Sequence, residues 1–230
     1  MTNEVKILSA GAVKPGLTKV IDAFERDSGN RIQVSFATAP AILKEIGAGA
    51  TVDVVIAPPN VLDDLVKSGN CVAREAVTLG RIGVGVLVRH GEPLPPIATV
   101  NEFKESLLSA ESLVYNQAST GIYLEALFES LGISTAVKGK STRYPDFAAV
   151  LNHVSKGKGR EIGLGATTVI IENQSRGVKL AGPLPAEIQN YTSYGAALIA
   201  ENEANEVAQR FMRYLASPTV KSLLTAAGIQ

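Results

Sequence analysis

The sequence predicts an α/β protein of two lobes, and three observations carry that expectation. Short apolar runs alternate with amphipathic helical stretches, the order that builds parallel sheets with helices on their faces. The loops that lead from strand to helix are short and rich in glycine and hydroxyls. Two segments, a glycine-spaced strand at residues 81–88 and an apolar run at 191–199, separate two α/β series and read as strands crossing between lobes. The expected boundaries are residues 1–80 plus 200–230 for lobe one and 81–199 for lobe two. Ligands in open α/β sheets sit at the carboxyl ends of strands, so a binding cleft is expected between the lobes.

Taken in order, residues 5–8 form a first strand, followed by the turn Ser9-Ala-Gly11-Ala12. Pro15, a favoured first-turn residue, opens a helix with Leu17, Val20, Ile21 and Phe24 on one face. Residues 31–36 are a second strand, 40–48 a helix and 52–56 a fully apolar third strand. Asn60 is placed to cap a helix over 61–67 that stops at Gly69. After the glycine-spaced strand comes a Pro-rich stretch from His90 to Pro96. The second series has helices at 99–108, 120–131 and 147–156, with strands at 113–115 and 161–165. The run at 195–199 precedes a helix over 203–216, and Pro218 opens a last helix that ends at Gly228.

The 22 basic and 22 acidic side chains cancel, and 46% of residues are hydrophobic. That composition excludes disorder, which needs low hydrophobicity and unbalanced charge. It also excludes a nucleic-acid surface, which needs clustered Lys and Arg. Cys71 is the single cysteine, so there is no internal disulfide and no Cys-based zinc site. No cofactor and no metal are expected. The opening residues show no secretory signal, so the expected location is periplasmic if a leader has been removed and cytoplasmic otherwise. No apolar run approaches the roughly 18–20 residues that span a bilayer.

Four loops present backbone N–H groups and small side chains at a helix start, the environment that suits an anion. Gly11 and Ala12 follow strand one, Thr38 and Ala39 follow strand two, Ser119, Thr120 and Gly121 follow the strand at 113–115, and Thr167 follows the strand at 161–165. Simple N-capping would explain each hydroxyl equally well. Lys14 opposes the dipole at the start of the first helix and so gains nothing locally. Arg81 sits on a strand between apolar neighbours, where burial without a partner is costly; a bound carboxylate or an interlobe salt bridge would each satisfy it. Tyr123, Tyr144 and Tyr194 could line the cleft or pack in the core.

Catalytic patterns are mostly missing. His90 and His153 read as solvated histidines, and no serine or cysteine motif surrounds either. Gly83-Val-Gly85 lies inside a strand and lacks the helix that a dinucleotide fingerprint requires. Any acid–base chemistry would have to use a tyrosine, with Tyr123 and Tyr144 as candidates, or a lysine or an isolated carboxylate.

Three segments, Ile7-Leu-Ser-Ala-Gly-Ala12, Val34-Ser-Phe-Ala-Thr-Ala-Pro40 and Ile46-Gly-Ala-Gly-Ala-Thr-Val-Asp53-Val-Val-Ile-Ala57, resemble the molybdate-binding protein family. The resemblance implies a type II periplasmic-binding-protein-like fold: two α/β lobes, a hinge of two crossing strands, and a cleft that closes on a small anion. Ala12 and Thr38-Ala39 stand where that family places serines, and residues 162–165 lack its tyrosine. Each missing donor would cost a bound oxyanion about 1–3 kcal/mol, which counts against molybdate itself. Arg81-Ile-Gly83, Tyr115-Asn-Gln-Ala-Ser119-Thr-Gly121-Ile-Tyr123-Leu-Glu125, Val137-Lys-Gly-Lys140 and Glu161-Ile-Gly163 are similar to a branch that includes aconitate isomerase.

The expectation is therefore a solute-binding protein for a small carboxylate, polycarboxylate or oxyanion, acting as a monomer with a membrane permease as partner. The alternative is an isomerase that shifts a double bond in an unsaturated tricarboxylate. A cytoplasmic sensor module is a third reading.

Overall fold

A computed structural model describes residues 4–72 and 76–230. The chain divides into two compact units, residues 1–82 with 192–230 and residues 83–191.

In the first unit, β1 (Glu4–Ala10) pairs in parallel with β2 (Arg31–Ala37) and with β3 (Val54–Ala57). The connections are α1 (Lys14–Ser28) and α2 (Ala39–Gly47). β3 is buried along its whole length, as its unbroken apolar run predicts, whereas the edge strand β2 is only half covered. α3 (Pro59–Lys67) follows β3. Its N-cap is Pro58, so Asn60 lies inside the helix and does not cap it. β4 (Val77–Arg89) begins in this unit and continues into the second.

The chain returns through β9 (Tyr191–Leu198), which pairs antiparallel with β3, Ala57 opposite Gly195. That pairing is why residues 192–199 group with the first unit, where the sequence-based boundary puts them in the second. α9 (Glu206–Leu215) and α10 (Pro218–Ala226) then pack on α1. Phe24 meets Phe211 edge to face at 5.1 Å. A Cβ at Gly16 would lie within 2.9 Å of Leu224 and Ile229, so α1 and the last helix approach closely because that position is glycine.

In the second unit the strand order is β8-β4-β7-β5-β6. β5 (Ser112–Asn116) lies in parallel between β6 (Ser141–Tyr144) and β7 (Glu161–Ala166). β4 runs antiparallel to β7 and to β8 (Val178–Pro183). The helices are α4 (Val100–Ser109), α5 (Ser119–Ser130), α6 (Ser134–Lys138), α7 (Phe147–Lys156) and α8 (Thr167–Glu172). Two apolar layers cover the faces of this sheet, one around Phe103, Leu107 and Leu113, the other around Leu87, Val150 and Ile170.

Candidate functional site

Register decides which of the sequence-predicted residues come together. Ala10 pairs with Ala37, so the loops that follow β1 and β2 leave the same end of the first sheet side by side. Gly11 and Ala12 form a single helical turn there, Thr38 is the N-cap residue of α2, and Ala39 is its first residue. Lys14, exposed at the start of α1, holds its Nζ 5.6 Å from the ring centre of Phe36 near the end of β2. The ring quadrupole attracts the ammonium, so a cation stays beside these loops, and among the described residues no carboxylate pairs with it. Ser9 is fully buried within β1, and its hydroxyl donates to the Ala10 carbonyl.

The second unit repeats the arrangement. Asn116 pairs with Tyr144 and Tyr115 with Leu164, so the carboxyl ends of β5, β6 and β7 share one sheet end. Ser119, Thr120 and Gly121 form the first turn of α5, and Thr167 is the first residue of α8. The Asn116 side chain accepts the Ala118 N–H at 3.2 Å, and the Gln117 N–H donates to the Tyr144 carbonyl at 2.8 Å. A Cβ on Gly121 would collide with the Asn116 carbonyl, so glycine is what lets α5 begin this close to the strand end.

None of the helices α1, α2, α5 and α8 receives a side-chain cap. Thr99, Asp146, Asn205 and Ser217 do cap α4, α7, α9 and α10. Capping therefore does not account for the hydroxyls of Thr38, Ser119, Thr120 and Thr167. α3 and α6 also start without side-chain caps, so the lack of a cap does not by itself mark a site. What distinguishes these four starts is the clustering of glycine, hydroxyl and small residues at one end of each sheet.

Other residues fall elsewhere. Arg81 is exposed on β4, not buried between its apolar neighbours, and its main chain pairs in both directions with Gln230. β3 and β9 separate it from β1 in the strand order. The Tyr123 hydroxyl donates to the Ile188 carbonyl at 2.5 Å, and burial raises its pKa. Tyr194 is buried, which pushes its hydroxyl up to about 12. Tyr144 Oη lies 2.8 Å from His153 Nδ1, while His153 Nε2 lies 3.1 Å from Ser112 Oγ. His153 is thus bonded through both ring nitrogens rather than solvated; its helix was legible in the sequence, but β6, which brings Tyr144 beside it, was not. Neither candidate tyrosine holds its hydroxyl free of a protein partner.

A pocket of about 210 Å³ lies at the opposite end of the second sheet, where β7 begins. Leu94, Pro95, Pro96, Arg160, Glu161 and Ile162 line it, and none of the sequence-predicted residues does. Among the described residues, no group of three or more His, Cys, Asp or Glu side chains could hold a metal ion. No described helix is long and apolar enough to cross a membrane.

The sequence model of the bacterial extracellular solute-binding proteins matches residues 5–230. The chain belongs to that family. Within it, the chain is 27% identical to an aconitate isomerase from a Pseudomonas species, across 97% of this chain and 86% of the relative. It is 22% identical to the molybdate-binding protein ModA of Azotobacter vinelandii, across 98% and 89%. The solved structure of the periplasmic molybdate-binding protein of Azotobacter vinelandii superposes with a TM-score of 0.80 at 17% identity, covering 98% of each chain. The fold is that of the type II periplasmic binding proteins, and the family is molybdate-binding-protein-like.

Proposed function

We propose that this solute-binding protein takes a small anion, a carboxylate or an oxyanion, in the loops at the strand ends of its two units. On this reading Thr38, Ser119, Thr120 and Thr167 donate hydroxyl hydrogens. First-turn N–H groups of α2 and α5, which those helices leave unpaired internally, donate as well. Gly11, Ala12 and Ala39 let the ligand approach the main chain, and Lys14 is the local cation. The observation that carries the reading is that hydroxyls at the starts of α2, α5 and α8, which cap nothing, gather with glycines at one end of each sheet. A membrane permease is the corresponding partner, and delivery to it is the proposed role.

Thermal unfolding with a panel of molybdate, tungstate, sulfate, citrate and cis-aconitate tests this, because a ligand that binds only the folded chain raises its apparent stability. At least one anion raises Tm with increasing concentration if the reading holds. No response to any of them, with a response to neutral or cationic solutes instead, would overturn it.

A second reading, an isomerase acting on an unsaturated tricarboxylate, is favoured by the 27% identity to aconitate isomerase over nearly the whole chain. It needs a positioned base, and the hydroxyls of both candidate tyrosines already have protein partners. Incubation with cis- and trans-aconitate, followed by NMR, separates the two readings: interconversion would establish the isomerase and end the pure binder.

A further inference from the structure

We propose that Tyr144, backed by His153, is a positioning residue that holds the loop at 116–121 in its binding shape; the proposal rests on reading that loop as part of the anion site. β6 is a four-residue edge strand, half exposed, and among the described residues it pairs with β5 alone. A strand that short frays easily, because its few ladder bonds are open to water. Yet its last residue supplies the carbonyl that accepts the Gln117 N–H, one rung beyond the β5–β6 ladder. The start of α5 therefore depends on the shortest strand of its sheet.

Two side chains counter the fraying. Tyr144 lies edge-on to the His153 ring and hydrogen-bonds Nδ1 at 2.8 Å. His153 is fixed in turn by α7 and by Ser112 Oγ at the start of β5. The preceding residue, Arg143, pairs with Glu125 of α5 at 2.9 Å. β6 is thus anchored on α7 through one residue and on α5 through the next, and Gln117 hangs from the anchored end. Tyr144 acts on a ligand only through Gln117, not by touching it.

Hydrogen exchange resolved to the Gln117 amide, together with anion titrations, tests the proposal on Tyr144→Phe, His153→Leu and His153→Asn. Tyr144→Phe keeps the ring but removes the hydrogen bond. His153→Asn can still offer a polar atom near the Nδ1 position, and His153→Leu cannot. The expected result is faster exchange at Gln117 in Tyr144→Phe and His153→Leu, recovered in His153→Asn, with exchange in β1 and β3 unchanged. Whichever panel anion stabilises the parent protein binds about 3- to 10-fold more weakly to the first two variants, the range of one net hydrogen bond. Unchanged exchange at Gln117 in both overturns the positioning role, as does faster exchange with undiminished affinity. If no anion binds the parent protein, the anion reading fails, and the exchange data still decide whether Tyr144 holds the loop.

Discussion

The side-chain amide of Gln189 takes the place of a strand beside Val84: Oε1 accepts the Val84 N–H at 2.8 Å, and Nε2 donates to the Val84 carbonyl at 3.0 Å. Val84 lies just inside the second unit, and Gln189 just before the chain leaves it. The neighbouring Ile188 carbonyl accepts the Tyr123 hydroxyl from α5. One short turn thus ties β4 to the helix that carries Ser119, Thr120 and Gly121.

Gln189→Leu removes both bonds, and with them the Asn190 N–H bond to the same Oε1 at 2.9 Å. The Val84 carbonyl keeps the Leu184 N–H at 3.1 Å, so the loss falls on the buried Val84 N–H and on the half-buried Asn190 N–H. The expected cost is about 1–3 kcal/mol of unfolding free energy, read by urea denaturation. A change below about 0.5 kcal/mol, the usual surface value, would show that the amide is dispensable.

Asp53 is a buried carboxylate with a structural duty. Oδ2 accepts the Lys6 N–H at 2.7 Å, and Oδ1 accepts from Asn205 Nδ2 at 3.0 Å. Asn205 in turn caps α9 through the N–H groups of Val207 and Ala208. Asp53→Ala leaves two donors unmet and is expected to cost about 2–4 kcal/mol, while Asp53→Asn, which keeps one acceptor oxygen, costs less. Equal losses in the two variants would contradict this account.

Two glycines at helix starts should behave differently. An added Cβ at Gly121 meets the Asn116 carbonyl, whereas at Gly11 it meets nothing within 4 Å. Gly121→Ala is expected to lower stability by about 1–3 kcal/mol, as overpacking does, and Gly11→Ala to leave it unchanged. Matching thermal midpoints for the two variants would refute the close approach.

Burial raises the Cys71 thiol to about 11. At pH 8 the reactive thiolate is therefore scarce in the folded protein, and it becomes plentiful only as pH rises toward that value. Labelling with iodoacetamide should be slow in native buffer and fast in denaturant. Fast native labelling at pH 8 would show that this part of the chain opens readily.

Most of the first unit was legible in the sequence because its strands are apolar runs bounded by glycine or proline, as with β3 and the Pro15 helix. β6 and β8 were not, since Ser-Thr-Arg-Tyr and Val-Lys-Leu-Ala-Gly-Pro are too polar or too short to carry a period. Glycine and hydroxyl spacing marks the candidate loops in the sequence, and the register of β1 with β2 and of β5 with β6 ends each pair of strands at a common sheet end. The burial expected for Arg81 failed because its apolar neighbours on the strand do not enclose the side chain. Asp53, His153 and Gln189 act through contacts 152, 41 and 105 residues away, which no local pattern encodes.

The most direct test of the central claim is calorimetric titration of the anion that gives the largest thermal shift into the parent protein, Lys14→Ala, Thr38→Val and Thr120→Val. The account predicts saturable binding to the parent and about 3- to 30-fold weaker binding to each variant, one charge-assisted hydrogen bond or less, with Tm of the ligand-free proteins unchanged. Undiminished affinity in all three variants would place the ligand elsewhere and contradict it.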